Sequence, residues 1–277
     1  MHPYFGTVSV IIDNRIALFW LLDSTSPGDC RYVGPPPTAS EVRLLTEPRS
    51  ERLPHLDCVE FETGADPRAS ILWLHGIGAD GFQSEPLIRE VARSSEVPVR
   101  FISPYAPFRK VTLCGGQRMR AWYDLRDADR QLQQDETSIR ESSAAVRALI
   151  DREAERGIPS GCIVLGGFSQ GGAMALLTGT RLSKPLAGIM ALSCYPLLAS
   201  TFASERQAAN QHTPIFLAHG LGDPVIDFCV GLNMRDWLQL SGYPIEWHSY
   251  PIGHELSVAE IMDVAGFMRR ALSLASH

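Results

Sequence analysis

The sequence predicts an α/β protein built on one mostly parallel sheet with helices on both faces. Three observations carry this. Short apolar runs alternate along the chain with longer segments of helical period, from Asp57 onwards. Runs such as Ile71-Leu72-Trp73-Leu74 and Ile215-Phe216-Leu217 contain no polar residue, which suits strands covered on both faces rather than on one. Finally, Ile163-Val164-Leu165 passes through Gly166-Gly167 and Gly171-Gly172 into the helix former Ala173-Met174-Ala175-Leu176-Leu177. That is a strand, a tight turn and a helix in immediate succession.

Residues 1–52 differ from the rest. Val8–Leu22 is apolar but carries Asp13, Asn14 and Arg15, and is too short and too interrupted for a membrane-spanning helix. No basic region precedes it, as a secretory signal would require. Pro35-Pro36-Pro37 and the mixed polar stretch to Arg52 read as a mobile linker. The expectation is an N-terminal extension over 1–52 and a single domain over 53–277.

Within that domain, Asp57–Thr63 alternates apolar and polar residues like a half-buried strand. Ile71–His75 ends at Gly76 as a buried strand. Ser84–Ser94 predicts a helix with Leu87, Ile88 and Val91 on one face, and Val97–Ile102 another strand. Residues 103–134, with Gly115-Gly116 and Trp122-Tyr123, read as a loop whose length points to function. Asp135–Arg156 predicts a helix with Ile139, Val146, Leu149 and Ile150 as its stripe, ended by Gly157 and Pro159. Cys162–Leu165, Leu186–Leu192, Pro214–His219 and Ile245–Tyr250 complete the strands. Cys229–Leu240 is a helix facing inward through Val230, Met234, Trp237 and Leu238. The last helix, Glu255–Leu272, has Val258, Ile261, Met262, Ala265, Met268 and Leu272 at helical spacing.

Composition excludes several classes. At 277 residues and 45% hydrophobic, the chain can bury a core without disulfide staples. A net charge of −6 with no Lys/Arg run argues against a nucleic-acid binder. Six scattered cysteines with no C-x-x-C pair read as free thiols in a reducing, cytoplasmic setting.

The chemistry concentrates at Gly167-Phe168-Ser169-Gln170-Gly171, a G-x-S-x-G in the strand–turn–helix context of a nucleophile elbow. Ser169 is the candidate nucleophile. A serine hydroxyl needs a base, an orienter for that base and oxyanion donors. On this type of sheet the partners follow in the order acid, then histidine. Asp223, in His219-Gly220-Leu221-Gly222-Asp223-Pro224, follows a strand by a short glycine-rich loop and is preferred to Asp227, which falls where a helix begins. His254, in Gly253-His254-Glu255, lies between the last strand and the last helix. His219, at the end of its strand, reads as a hydrogen-bonded structural residue. The oxyanion donors should be the N–H of Gln170, next after the nucleophile, and that of Ile77 in the turn His75-Gly76-Ile77-Gly78, with His75 itself structural.

These stretches together resemble the phospholipase/carboxylesterase group of α/β-hydrolases, which includes acyl-protein thioesterases and small bacterial carboxylesterases. The resemblance is carried in order by Leu74–Gly81, Pro104–Pro107, Met119–Asp124, Gly166–Ala173, Ala191–Cys194, His219-Gly220 with Asp223, and Gly253–Glu255, and covers about Leu53 to Leu272. It implies the α/β-hydrolase fold, a Ser169, Asp223, His254 triad and an oxyanion hole at Ile77 and Gln170. Ala218 before His219-Gly220, Arg120 where the family commonly has proline, and Cys114 where it has asparagine are departures in loops, bearing on substrate choice.

The resemblance implies acyl transfer to water, through an acyl-enzyme, with no metal or cofactor. The chain has neither H-E-x-x-H nor the G-K-[ST] ending of a phosphate loop. The loop from Leu113 to Trp122 and residues after Ser193 are expected to form an apolar acyl pocket. A serine carboxylesterase acting on a small-molecule or lipid-like ester is the first reading, and an acyl-protein thioesterase or lysophospholipase on the same triad the alternative. A non-catalytic binding protein would normally have lost a triad member. No nucleic-acid partner and no stable membrane anchor are expected. Apolar loops near the site would serve a homodimer or a lipid substrate equally well.

Overall fold

The uninterrupted apolar runs become the central strands of one sheet in the computed structural model, which describes residues 7–12, 15–20, 56–79, 86–87, 90, 97–128 and 131–274. The chain divides into two units, Met1–Ser40 and Glu41–His277. In the first, β1 (Thr7–Ile12) pairs antiparallel with β2 (Arg15–Trp20), Thr7 opposite Trp20 and Ile12 opposite Arg15. The polar interruption that breaks the apolar stretch is where these strands are separated. The linker expected up to Arg52 lies outside the described residues.

The second unit runs β3 (Cys58–Glu62), β4 (Ala69–Leu74), β5 (Val99–Pro104), β6 (Phe108–Val111), β7 (Gln117–Arg120), β8 (Leu125–Ala128), β9 (Gln131–Gln134), α1 (Glu136–Glu155), β10 (Ile163–Phe168), α2 (Gln170–Thr180), β11 (Gly188–Leu192), α3 (Phe202–Glu205), β12 (Ile215–Gly220), α4 (Phe228–Leu240), β13 (Ile245–Tyr250) and α5 (Val258–Leu274). The main sheet has the order β13-β12-β11-β10-β4-β5-β3. Every neighbouring pair is parallel except β3 with β5. β4 and β10 sit centrally and are buried almost throughout, in keeping with the apolar runs Ile71–Leu74 and Ile163–Leu165. β3 is an edge strand, half-buried at every position, in keeping with its alternation.

Both faces are covered. Residues of α1, α2 and α4, among them Val146, Leu176 and Met234, pack on Leu72, Leu165 and Leu217. On the other face Val264, Phe267, Met268 and Leu272 of α5 pack on Ile71, Trp73, Met190 and Phe216. The inner stripe of α5 agrees with the expected one at Ala265, Met268 and Leu272, which are buried, and departs from it at Val258 and Met262, which are exposed, while Val264 and Phe267 join the buried face.

Residues 103–134, expected as a loop, carry two β-hairpins: Phe108 pairs with Arg120 in β6–β7, and Leu125 with Gln134 in β8–β9. Of the helix expected over Ser84–Ser94, only Pro86, Leu87 and Glu90 are described, and all three are helical. α1 ends where Gly157 adopts φ 91°. Its Glu153, fully buried, is held by Arg100 of β5 at 2.8 Å, Ser70 of β4 at 2.6 Å and Arg156 at 2.8 Å. A buried carboxylate is tolerable only when paired in this way.

Candidate active site

β10 ends at Phe168, and α2 begins at Gln170, so the turn between them is Ser169 alone. Its backbone lies at φ 55°, ψ −122°, an uncommon region for a residue with a side chain. The turn closes because its neighbours are glycines. A Cβ on Gly171 would lie 2.0 Å from the Leu74 carbonyl oxygen, and one on Gly167 2.5 Å from the same atom. The Ser169 N–H is tied to the Leu192 carbonyl at 2.8 Å, so both neighbouring strands fix the serine.

Ser169, Asp223 and His254, singled out separately in the sequence, come together from three loops at the C-terminal ends of β10, β12 and β13. This is the edge at which open α/β sheets place their ligands. His254 Nε2 lies 2.8 Å from Ser169 Oγ and its Nδ1 2.7 Å from Asp223 Oδ2. A carboxylate only accepts, so Nδ1 carries the proton and Nε2 offers its lone pair to the serine hydroxyl. Asp223 Oδ1 accepts the N–H groups of Val225 at 2.8 Å and Ile226 at 2.9 Å. Burial raises the proton affinity of Asp223. The hydrogen bonds from His219 and His254, the charge of His254 and the Ile226 N–H outweigh it and hold the carboxyl well below the usual carboxylate range. The rival Asp227 caps α4, accepting the Cys229 N–H at 2.7 Å. The Phe168 ring packs against the His254 imidazole, centroids 4.8 Å apart.

The turn after β4 lies beside the serine: a Cβ on Gly76 would be 3.5 Å from Ser169 Cβ. The Gly78 N–H goes to the Arg120 carbonyl at 2.8 Å and the Ala79 N–H to Gly76 at 3.3 Å. Neither bond uses the Ile77 N–H. Gln170 opens α2, where N–H groups have no partner within the helix. Its side chain is engaged elsewhere: Oε1 accepts the Trp122 N–H at 2.7 Å and Nε2 donates to Tyr123 O at 2.9 Å. Trp122 is fully buried and donates its indole N–H to the His75 carbonyl at 2.8 Å. His75 Nε2 accepts the Ala106 N–H at 3.0 Å. Trp122 therefore braces the turn after β4 and, fully buried, presents no surface to line a pocket. Leu113 is partly exposed in the turn between β6 and β7.

Residues 57–272 match the phospholipase/carboxylesterase family. The chain belongs to that family. Acyl-protein thioesterase 1 of Neurospora crassa is 37% identical over 213 residues, spanning 74% of this chain and 87% of the relative. Acyl-protein thioesterase 1 of Yarrowia lipolytica is 36% identical over 78% of this chain and 97% of its own. Among solved structures, Arabidopsis thaliana SOBER1 superposes with a TM-score of 0.67 at 30% identity, over 74% of this chain and 99% of that one. Zea mays acyl-protein thioesterase 2 does so with 0.64 at 26% identity, over 77% and 98%. The fold is accordingly that of the α/β-hydrolases, and the family makes this chain a serine hydrolase of the esterase and thioesterase type. Among the described residues no helix is long and apolar enough to cross a membrane.

Two features of the site were not read from the sequence. One is the brace by which the Gln170 side chain and Trp122 join the elbow to the turn after β4. The other is the packing of Arg120, which the sequence showed only as a departure: its guanidinium lies between the Tyr105 and Phe108 rings, 4.5 Å from each centroid, and donates to the Ala106 carbonyl at 2.9 Å. Neither carries a local signal, because each joins residues distant in sequence.

Proposed function

We propose that this chain hydrolyses carboxylic esters through an acyl-enzyme on Ser169, with His254 as base and Asp223 as its orienter. The observation that carries the reading is the unbroken line from Ser169 Oγ through His254 to Asp223, at 2.8 and 2.7 Å, on a serine held in strained backbone. As Ser169 Oγ attacks the acyl carbonyl carbon, His254 Nε2 takes its proton. The oxyanion forms between the N–H groups of Gln170 and Ile77. Asp223 stabilises the imidazolium, which then protonates the departing alcohol or thiol. Water, deprotonated by the same nitrogen, attacks the acyl-serine and frees the acid.

A second reading, a thioesterase acting on acylated proteins, is favoured by the names of the curated relatives at 36–37% identity. The triad serves both, because the tetrahedral intermediate of a thioester makes the same demands. Leu113 and the hairpin that carries it are proposed to border the acyl chain. Cys58, Cys114, Cys194 and Cys229 are free thiols, which supports a reducing, cytoplasmic setting.

The test compares wild type with Ser169→Ala on p-nitrophenyl esters from acetate to laurate and on a palmitoyl thioester. Turnover by wild type that disappears in a folded variant is expected. Turnover that survives the substitution would overturn the nucleophile. A higher kcat/KM for the thioester than for any oxygen ester would establish the second reading over the first.

A further inference from the structure

Asp223 has a fourth neighbour that the proposed mechanism does not use. His219, at the end of β12, is almost fully buried, and its Nε2 lies 2.9 Å from the Ile226 carbonyl and 3.3 Å from Asp223 Oδ2. Its Nδ1 is buried and has no hydrogen-bond partner. A neutral imidazole carries one proton, and both acceptors face Nε2, so that nitrogen is the donor. The ring thus points its single N–H between the middle of the acid loop and its far end. Ile226 is also tied to Asp223 directly, through its N–H to Oδ1 at 2.9 Å. Carboxylate, Ile226 peptide and imidazole form a closed ring of contacts, which opposes rotation of the carboxylate about its own axis.

Helix α4 keeps that imidazole in place. Gly231 lies against the ring, and a Cβ there would come within 2.6 Å of Nδ1 and 2.9 Å of Cγ. Phe228 closes the pocket edge-on, its centroid 6.1 Å from that of His219. Backbone and ring leave the imidazole one orientation. Burial lowers the proton affinity of His219, while Asp223, the Ile226 carbonyl and the nearby Glu260 charge more than offset it.

We propose that His219 is a positioning residue: it holds the Asp223 carboxylate in the rotation that aims Oδ2 at His254. The inference rests on the triad reading above. It assigns His219 no contact with substrate. Its loss should act on kcat, where a well-aimed Asp223 must stabilise the imidazolium, and leave KM unchanged.

The experiment measures kcat and KM for p-nitrophenyl butyrate, and the rate of Ser169 labelling by a fluorophosphonate probe. The variants are His219→Leu, His219→Gln and Gly231→Ala, each with its Tm, beside Ser169→Ala and His254→Ala. A hydrogen bond to a charged group sets the scale: His219→Leu should lower kcat and labelling rate by about ten- to hundredfold with KM within about twofold. His219→Gln, whose amide N–H reaches towards the same acceptors, should recover most of that loss. Gly231→Ala, which leaves the imidazole chemically intact but displaces it, should show the same kcat-only defect. Near wild-type kcat in folded His219→Leu, or in folded Gly231→Ala should the leucine variant not fold, overturns the proposal. Equal losses in His219→Leu and His219→Gln that track Tm also overturn it, as a packing role alone. If Ser169→Ala and His254→Ala keep their turnover, the triad reading itself has failed, which is a separate result.

Discussion

Replacing Asp223 by Asn tests the proposed relay at its most constrained member. Two backbone N–H groups, those of Val225 and Ile226, point at Oδ1 from 2.8 and 2.9 Å. An asparagine will keep its oxygen there, because an amide NH2 in that position would face two donors. The NH2 must therefore occupy the place of Oδ2, 2.7 Å from His254 Nδ1. It can only donate, so Nδ1 must become the acceptor and the imidazole proton moves to Nε2. That nitrogen lies 2.8 Å from Ser169 Oγ and then has no lone pair to offer. The substitution conserves volume and the loop keeps both of its backbone bonds; the NH2 forgoes the longer contact from His219 at 3.3 Å, while His219 Nε2 keeps the Ile226 carbonyl at 2.9 Å, so Tm should fall only modestly. A tautomer trap of this kind costs about 10⁴-fold in kcat in serine hydrolysis, or ~5 kcal/mol of transition-state stabilisation. The assay is ester hydrolysis under saturating substrate, with Tm followed in parallel. A folded Asp223→Asn enzyme within about tenfold of wild-type kcat would refute the reasoning, since a relay with a misplaced proton cannot turn over at that rate.

Three other outcomes follow from the packing. Gly171→Ala places a methyl 2.0 Å from the Leu74 carbonyl, backbone against backbone, so neither side can yield as a flexible side chain would. The expected loss is about 3 kcal/mol or more, a fall of about 6–12 °C in Tm by calorimetry; an unchanged Tm would contradict the close approach. Glu260, buried with neither carboxylate oxygen bonded, is pushed by desolvation from 4.5 up to about 7. The unfolded chain then loses this proton before the folded one, so the wild type loses stability as pH rises between those values and is level above them. Glu260→Gln removes that slope: relative to the variant, wild type should lose roughly 3 kcal/mol between about pH 5 and about pH 8, and parallel Tm profiles would exclude it. Deleting residues 1–52 should leave turnover intact, because the main sheet begins at β3 and the family match at residue 57; failure of the truncated protein to fold would show the extension to be part of the domain.

Much of this architecture was legible because the physics that sets it is local. A strand buried on both faces needs an apolar run, and Ile71–Leu74, Ile163–Leu165 and Ile215–Ala218 supply one in β4, β10 and β12. A serine forced into a one-residue turn between strand and helix needs glycine around it, and Gly167 and Gly171 spell that out. The candidate acid and base, Asp223 and His254, could be placed by order along the chain, since each follows a strand and therefore emerges at the same edge of the sheet. The hairpins β6–β7 and β8–β9 were missed for the opposite reason. Their strands are short and largely polar, as in Gln131–Gln134, and their pairing depends on turns and neighbours rather than on an apolar run.

What the sequence hid at the site is of one kind. Gln170 bonds Trp122 and Tyr123 across a separation of nearly fifty residues, and Trp122 reaches His75 across a similar one. These contacts exist only after the sheet has formed. They bear on function because they decide how rigid the oxyanion turn is. The Ile77 N–H does no work on an oxyanion unless it is already aimed when the charge appears, and a turn following a strand end does not hold such an aim by itself. The fully buried indole and the Gln170 amide supply that rigidity from below, through the His75 carbonyl and the backbone at Trp122 and Tyr123. Ser169, the proposed nucleophile, sits in the elbow that begins α2, and Gln170 is the first residue of that helix. The nucleophile and both proposed oxyanion donors are therefore built on one braced unit, whose geometry does not wait for the substrate.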